Sequence, residues 1–190
     1  MHDSVKSEGA LARRSLLGGL GALVALSGES AARAEEPAPA GGPLSNVPIV
    51  LPKTEFAYEA KVELDQGFLK IGKGPLGERT LVPITGGKFA GPKIQGTVLS
   101  GGADRQLVRE DGALLLNALY EMKTDDGAIL TVNNRALVTK GADGSPYAFS
   151  QMDIIAPVGP HDWLNHRVFV GNFVFQPGKP WVLIRAYSLI

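Results

Sequence analysis

From residue 54 onward the chain alternates between apolar and polar positions. In 54–65, Phe56, Tyr58, Ala60, Val62 and Leu64 fall on one parity and Glu55, Glu59, Lys61 and Glu63 on the other. Period two with aromatic and β-branched residues predicts a half-buried strand. The pattern recurs in 68–71, 81–84, 94–99 and 104–108. It recurs again in Leu114, Leu116, Ala118, Tyr120 and Met122, then in 129–139, 147–155, 167–175 and 181–189. Turn signals separate these runs: Asp65-Gln66-Gly67, the glycine-rich 72–77 and 86–92, Ser100-Gly101-Gly102, Asp111-Gly112, Asp126-Gly127, 141–146, 157–160 and 176–180. Asp-Gly pairs are hairpin turns, because the glycine takes the positive φ that the turn demands. Nine or ten short strands at regular spacing, with no helical period, predict an all-β sandwich or barrel. Closure leaves no exposed strand edge, so a single antiparallel β-barrel is the expected fold class.

Several strands are apolar on both parities; in 181–189, Val182, Ile184 and Ala186 lie opposite Trp181, Leu183 and Tyr187. A sheet apolar on both faces is either a barrel with an apolar lumen and a covered outer wall, or one that buries its outside against another subunit as a homo-oligomer.

Upstream of 49 the pattern changes. Arg13 and Arg14 precede an apolar run of about 11 residues, too short for the roughly 20 needed to span a bilayer, and Ala32-Arg33-Ala34 then offers a small-x-small cleavage site. That order predicts an export signal over 1–34, and Arg13-Arg14-Ser15-Leu16-Leu17 resembles the twin-arginine type, whose route carries folded proteins. Residues 35–48 are rich in Pro, Ala and Gly and read as a flexible linker. The domain is expected over 49–190, in the periplasm or secreted, with no membrane contact after cleavage.

Charge adds one exclusion. The chain of 190 residues has 19 basic and 19 acidic side chains, and removing 1–34 leaves 15 and 16. No basic face is implied, so nucleic acid is not an expected partner. Cysteine is absent, which removes disulfides, thiolate nucleophiles and cysteine-ligated metals. Gly86-Gly87-Lys88 lacks the Ser/Thr ending and following helix of a phosphate-binding loop and reads as a strand corner. His161 and His166 have no third ligand at useful spacing, so no metal is expected. No motif implies a cofactor.

In Pro83-Ile84-Thr85-Gly86-Gly87-Lys88-Phe89-Ala90-Gly91-Pro92, Gly101-Gly102-Ala103-Asp104, Gln106-Leu107-Val108-Arg109, Thr124-Asp125-Asp126-Gly127 and Trp163-Leu164-Asn165 the chain resembles the DUF3237 family, also called UPF0311, over about 54–190. The resemblance implies a compact antiparallel barrel of the lipocalin or allene-oxide-cyclase kind and hands over no catalytic residues. Arg105 departs from the family's usual Trp, and 149–156 departs from its usual run; both would alter ligand choice if they faced the lumen.

Asp104 is the candidate catalytic residue. In an apolar barrel its carboxyl would gain a raised pKa suited to general acid or base work; otherwise it caps the Gly101-Gly102 turn. Gln106 shares its parity and is a candidate ligand-binding donor. Asn133 and Asn134 sit mid-strand, where Asn is disfavoured. One of them is expected to face the lumen, and Asn133 is taken as the candidate. Tyr120, Trp163 and Asn165 complete the candidate binding set, the last two at a barrel mouth suited to a flat or aromatic molecule. Two functions follow: an exported barrel that binds a small apolar or aromatic molecule, or a cofactor-free lyase, isomerase or cyclase in which Asp104 moves a proton. A ligand-free oligomeric envelope protein is the third.

Overall fold

The computed structural model describes residues 41–45 and 47–190. The expected export signal and most of the expected linker lie outside the described residues. Among the described residues ten strands form: β1 Thr54–Leu64, β2 Leu69–Gly74, β3 Gly77–Ala90, β4 Gln95–Val98, β5 Ala103–Val108, β6 Leu114–Thr124, β7 Ile129–Lys140, β8 Pro146–Ile155, β9 Phe169–Phe175 and β10 Trp181–Leu189. A 3-10 turn, Asp162–His166, links β8 to β9.

All strand pairings are antiparallel, and they close into a barrel of eight strand positions. Around it run β1, β10, β9, β8, β7 and β6, then β4 and β5 sharing one position, then β3, which returns to β1. The long β3 does the joining. Its first half pairs with β2 on one side and β5 on the other; its second half pairs with β1 and β4. The sheet is thus closed by Glu59↔Ala90 through Leu64↔Ile84.

The expected turn over 86–92 is mostly strand. Gly86 and Gly87, at φ of 151° and 142°, lie within β3, and only residues 91–94 reverse the chain. The glycines serve a strand corner. A Cβ at Gly87 would lie 2.1 Å from the Lys61 carbonyl oxygen, so β1 reaches β3 only because that atom is missing.

The core is the lumen. Even-numbered residues of β1, β6, β7, β8 and β10 point inward, as do odd-numbered residues of β9, giving a buried set that includes Tyr58, Val62, Met122, Leu130, Val132 and Phe169. Alternation along each strand explains this directly. One end, here called the lower end, carries the β3–β4 and β6–β7 hairpins and the β8–β9 connection. The upper end carries the β2–β3, β5–β6, β7–β8 and β9–β10 hairpins.

Candidate functional site

The two halves of the lumen differ. The lower half is plugged. Leu164, on the 3-10 turn, is 1 % exposed and packs among the core residues. Trp163 beside it tilts against Phe169 at 6.2 Å, with the Lys93 ammonium 5.3 Å from its ring centroid. Asn165 accepts from the Ala156 N–H at 2.9 Å, and its Nδ2 donates to the Ala156 carbonyl at 3.0 Å and to Asp162 at 2.8 Å. These contacts tie the turn to the end of β8. Trp163 and Asn165 were expected at a ligand mouth; they sit instead at the stopper, with the Asn165 amide fully engaged by backbone and Asp162.

A second tie holds the same end. His161 is buried, and its Nε2 lies 3.0 and 2.9 Å from the two carboxylate oxygens of Asp126, in the β6–β7 turn. The Thr124 hydroxyl also bonds Asp126. Hydrogen bonds from Thr124 and then His161 hold the Asp126 carboxyl below the usual carboxylate range. Asp126 thus does more than shape a turn. Asp111 does only that: it accepts from the Ala113 N–H at 3.1 Å and pairs with Arg109. No group of three or more His, Asp or Glu able to hold a metal occurs among the described residues.

The upper half is less completely filled. It holds a small cavity of about 40 Å³ among its inward side chains. Its walls are apolar: Val62, Leu64, Ile84, Leu116, Phe173 and Phe175 are among them. Three polar side chains line it, Asp104, Tyr120 and Asn134. No Lys, Arg or His does.

Asp104 is 8 % exposed. Its Oδ2 accepts from Gln106 Nε2 at 2.8 Å and its Oδ1 from the Asn117 N–H at 3.0 Å. The carboxyl therefore anchors to β6 and does not cap the Gly101-Gly102 turn. Burial pushes it above the usual carboxylate range, while the bonds from Gln106 and Asn117 pull the other way. Gln106 is half-buried and spends one donor on Asp104, which makes it a positioning residue for the carboxyl.

Tyr120 is fully buried, and its hydroxyl has no hydrogen-bond partner among the described residues. Burial pushes its pKa up, offset only in part by the nearby Tyr58 hydroxyl. The Tyr58 hydroxyl donates to Met152 Sδ at 3.7 Å, and burial likewise keeps it protonated. Gly102 makes room for Tyr120: a Cβ there would lie 2.5 Å from the Tyr120 Cβ.

The asparagine choice is corrected. Asn134 is 5 % exposed and lines the cavity, whereas Asn133 lies on the outer wall, opposite Leu119 of β6 and Asp153 of β8. In a sheet of period two a shift of one residue changes the face. Leu130, Val132, Ala136 and Val138 share parity with Asn134, and that apolar company was the available signal. The Asn134 Oδ1 is covered and has no partner among the described residues; the same holds for Asn133 Oδ1, Ser150 Oγ and His161 Nδ1. Ser150, inward on β8, and Tyr58 carried no motif to single them out. Arg105 faces outward and is exposed, so its departure from the family pattern does not touch the lumen. In 149–156 the inward residues are Ser150, Met152, Ile154 and Ala156, all buried.

This geometry stands beside clear relatives. The model of a family of proteins of unknown function, DUF3237, matches residues 52–189. The chain belongs to that family. A UPF0311 protein of Clostridium acetobutylicum is 31% identical over 130 residues, covering 61% of this chain and 82% of that protein. A hydroalkoxylation enzyme of Penicillium herquei is 28% identical over 115 residues, covering 60% of this chain and 70% of the enzyme. Among solved structures, a protein of unknown function from C. acetobutylicum superposes with a TM-score of 0.68 at 27% identity, covering 75% of this chain and 99% of that one. An enzyme from P. herquei superposes with a TM-score of 0.61 at 21% identity, covering 75% and 97%. That last likeness concerns the fold alone.

Proposed function

We propose that this is an exported barrel that binds a small apolar or aromatic molecule through the upper half of its lumen, with Asp104 placed to exchange a proton with it. The observation behind this reading is the small cavity, apolar on nearly every wall and holding one buried carboxyl. The enclosed part is far smaller than the roughly 300–1,000 Å³ of a typical ligand pocket. A ligand therefore sends one end into the lumen and rests its body in the mouth. Fluorescence titration with N-phenyl-1-naphthylamine, an uncharged aromatic probe, tests it. The mature chain should bind the dye, and Ala118→Phe, which fills the cavity, should bind it at least tenfold less. Equal binding by both would place the dye elsewhere and remove the lumen from the proposal.

The second reading, a cofactor-free lyase, isomerase or cyclase, is favoured by the hydroalkoxylation relative. Hydroalkoxylation adds an O–H across a carbon–carbon double bond. It needs a proton delivered to carbon and another removed from oxygen, and no redox partner. A protonated Asp104 could supply the first proton as the oxygen bonds to the other carbon, and its carboxylate could then take up the second. Asp104→Asn should keep dye binding and abolish turnover of an alkenyl alcohol or phenol that the parent cyclises. Unchanged turnover would remove Asp104 from the role.

Export belongs to the same reading, supported by the Arg13-Arg14 leader. Replacing both arginines by lysine should leave the folded chain in the cytoplasmic fraction of a bacterial host with a twin-arginine route. Continued appearance in the periplasm would point to the general secretory route.

A further inference from the structure

The strand register places Asp104 of β5, Ala118 of β6 and Asn134 of β7 side by side on one rung of the barrel wall, because Asp104 pairs with Ala118 and Ala118 pairs with Asn134. Two strand spacings separate the outer pair, about 10 Å between their backbones. The residue between them is the smallest side chain that still fills a strand position, so the rung has an acid on one side, an amide on the other and a gap over the methyl group. No hydrogen bond joins Asp104 to Asn134; Asp104 bonds Gln106 and Asn117, and the Asn134 Oδ1 has no partner among the described residues. All three residues line the same cavity.

We propose, resting on the lumen-binding reading, that this rung is a hydroxyl-recognition site, which selects an uncharged alcohol or phenol carried on an otherwise apolar molecule. The hydroxyl sits over Ala118. It donates to the Asn134 Oδ1 and accepts from the protonated form of the Asp104 carboxyl, the form that burial favours. One hydroxyl, both donor and acceptor, thus satisfies both flanking groups. Burying Asn134 without a partner is costly, and a ligand hydroxyl removes that cost where a methyl group cannot.

Ligand charge is limited by the same walls. A carboxylate ligand would enter an apolar cavity beside an acid and find no cation among the lining residues, so its desolvation would go uncompensated. An amine is the opposite case: it would pair with the ionised form of Asp104, the form that burial disfavours. Ala118 sets the width. A larger residue there would close the gap without disturbing the bonds that Gln106 and Asn117 make to Asp104, so Ala118 is a specificity residue.

The test uses four probes of similar size, phenol, toluene, benzoate and benzylamine, titrated into the mature chain and followed by the NMR shifts of lumen methyl groups such as those of Val62, Leu116 and Ile184. Phenol should bind at least tenfold tighter than toluene, and benzoate should not bind. Asn134→Leu should weaken phenol tenfold or more and leave toluene unchanged or tighter. Toluene binding as well as phenol, or Asn134→Leu weakening both equally, would overturn hydroxyl recognition and leave the lumen site standing. Benzylamine binding tightest would overturn it in favour of an ionised Asp104 that pairs with cations. If no probe shifts any lumen methyl group, the lumen-binding reading itself fails.

Discussion

The two halves of this barrel are built from the same strands and spend their polar groups differently. In the lower half, Asn165 satisfies both polar atoms of the Ala156 backbone, and Asp126 collects Thr124 and His161. In the upper half, the Asn134 Oδ1 is buried and has no hydrogen-bond partner among the described residues, and burial pushes the Asp104 carboxyl above the usual carboxylate range. Native proteins pair nearly all their buried polar atoms. The lower end therefore reads as structure: apart from the buried His161 Nδ1, which has no partner among the described residues, its polar groups hold the stopper in place. The upper end reads as a site, in which the Asn134 Oδ1 and the Tyr120 hydroxyl find no partner among the described residues.

The comparison breaks most visibly at the stopper. Leu164→Ala should destabilise the domain by about 2–5 kcal/mol, the usual cost of emptying a buried leucine position, measured by urea denaturation. Dye binding at the upper end should be unchanged below the transition. Asn165→Ala should cost about 1–3 kcal/mol, because it strands the Ala156 backbone groups. A loss of ligand binding without a loss of stability in either variant would put the mouth at the lower end after all.

Acid should act on the two halves in opposite directions. The Asp104 pKa is raised by folding, so between the unfolded carboxylate value of about 4 and its folded value the native state holds the extra proton. Stability from this group is highest in acid and falls as pH rises through that window. The Asp126 pKa is lowered by folding, so its contribution is present above about 4 and is lost as pH falls through its folded value. Denaturation midpoints across pH 3 to 8 should therefore show a flatter decline above pH 4 for Asp104→Asn than for the parent. Asp126→Asn should lose part of the drop below pH 4.

Alternation made the architecture readable, and the same alternation carried more about the site than a first choice among residues used. The Asp-Gly turns and the inward parity of β6 were plain. Asn134 could have been preferred over Asn133 from its neighbours Val132 and Ala136. What sequence could not show is where non-neighbouring strands meet. The rung of Asp104, Ala118 and Asn134 depends on the register of three strands, and the stopper depends on a turn of five residues folding back across the lumen. The turn expected over 86–92 failed for a related reason: Gly86-Gly87 mark the place where two backbones far apart in the chain, β1 and β3, touch. Trp163 and Asn165 were placed at the correct sort of location, a barrel end, but nothing local says whether an end is open or shut.

The smallest expected effect lies on the outer wall. Arg105→Trp, a change toward the family's usual residue, should alter stability by no more than about 0.5 kcal/mol and should leave dye binding unchanged, since position 105 faces solvent. A clear change in binding would mean that the outer wall communicates with the cavity.

The most direct measurement is the urea denaturation of Asn134→Leu in the absence of ligand. Leucine keeps the Cγ-branched skeleton of asparagine, is larger by an amount the adjoining cavity can take up, and removes an amide whose Oδ1 is buried without a partner among the described residues. If the upper half is a site held in readiness, the variant should be as stable as the parent or more so. A loss of about 2 kcal/mol or more, the size expected when a working buried hydrogen bond is broken, would show that Asn134 belongs to the framework and that the two halves do not differ in the way described.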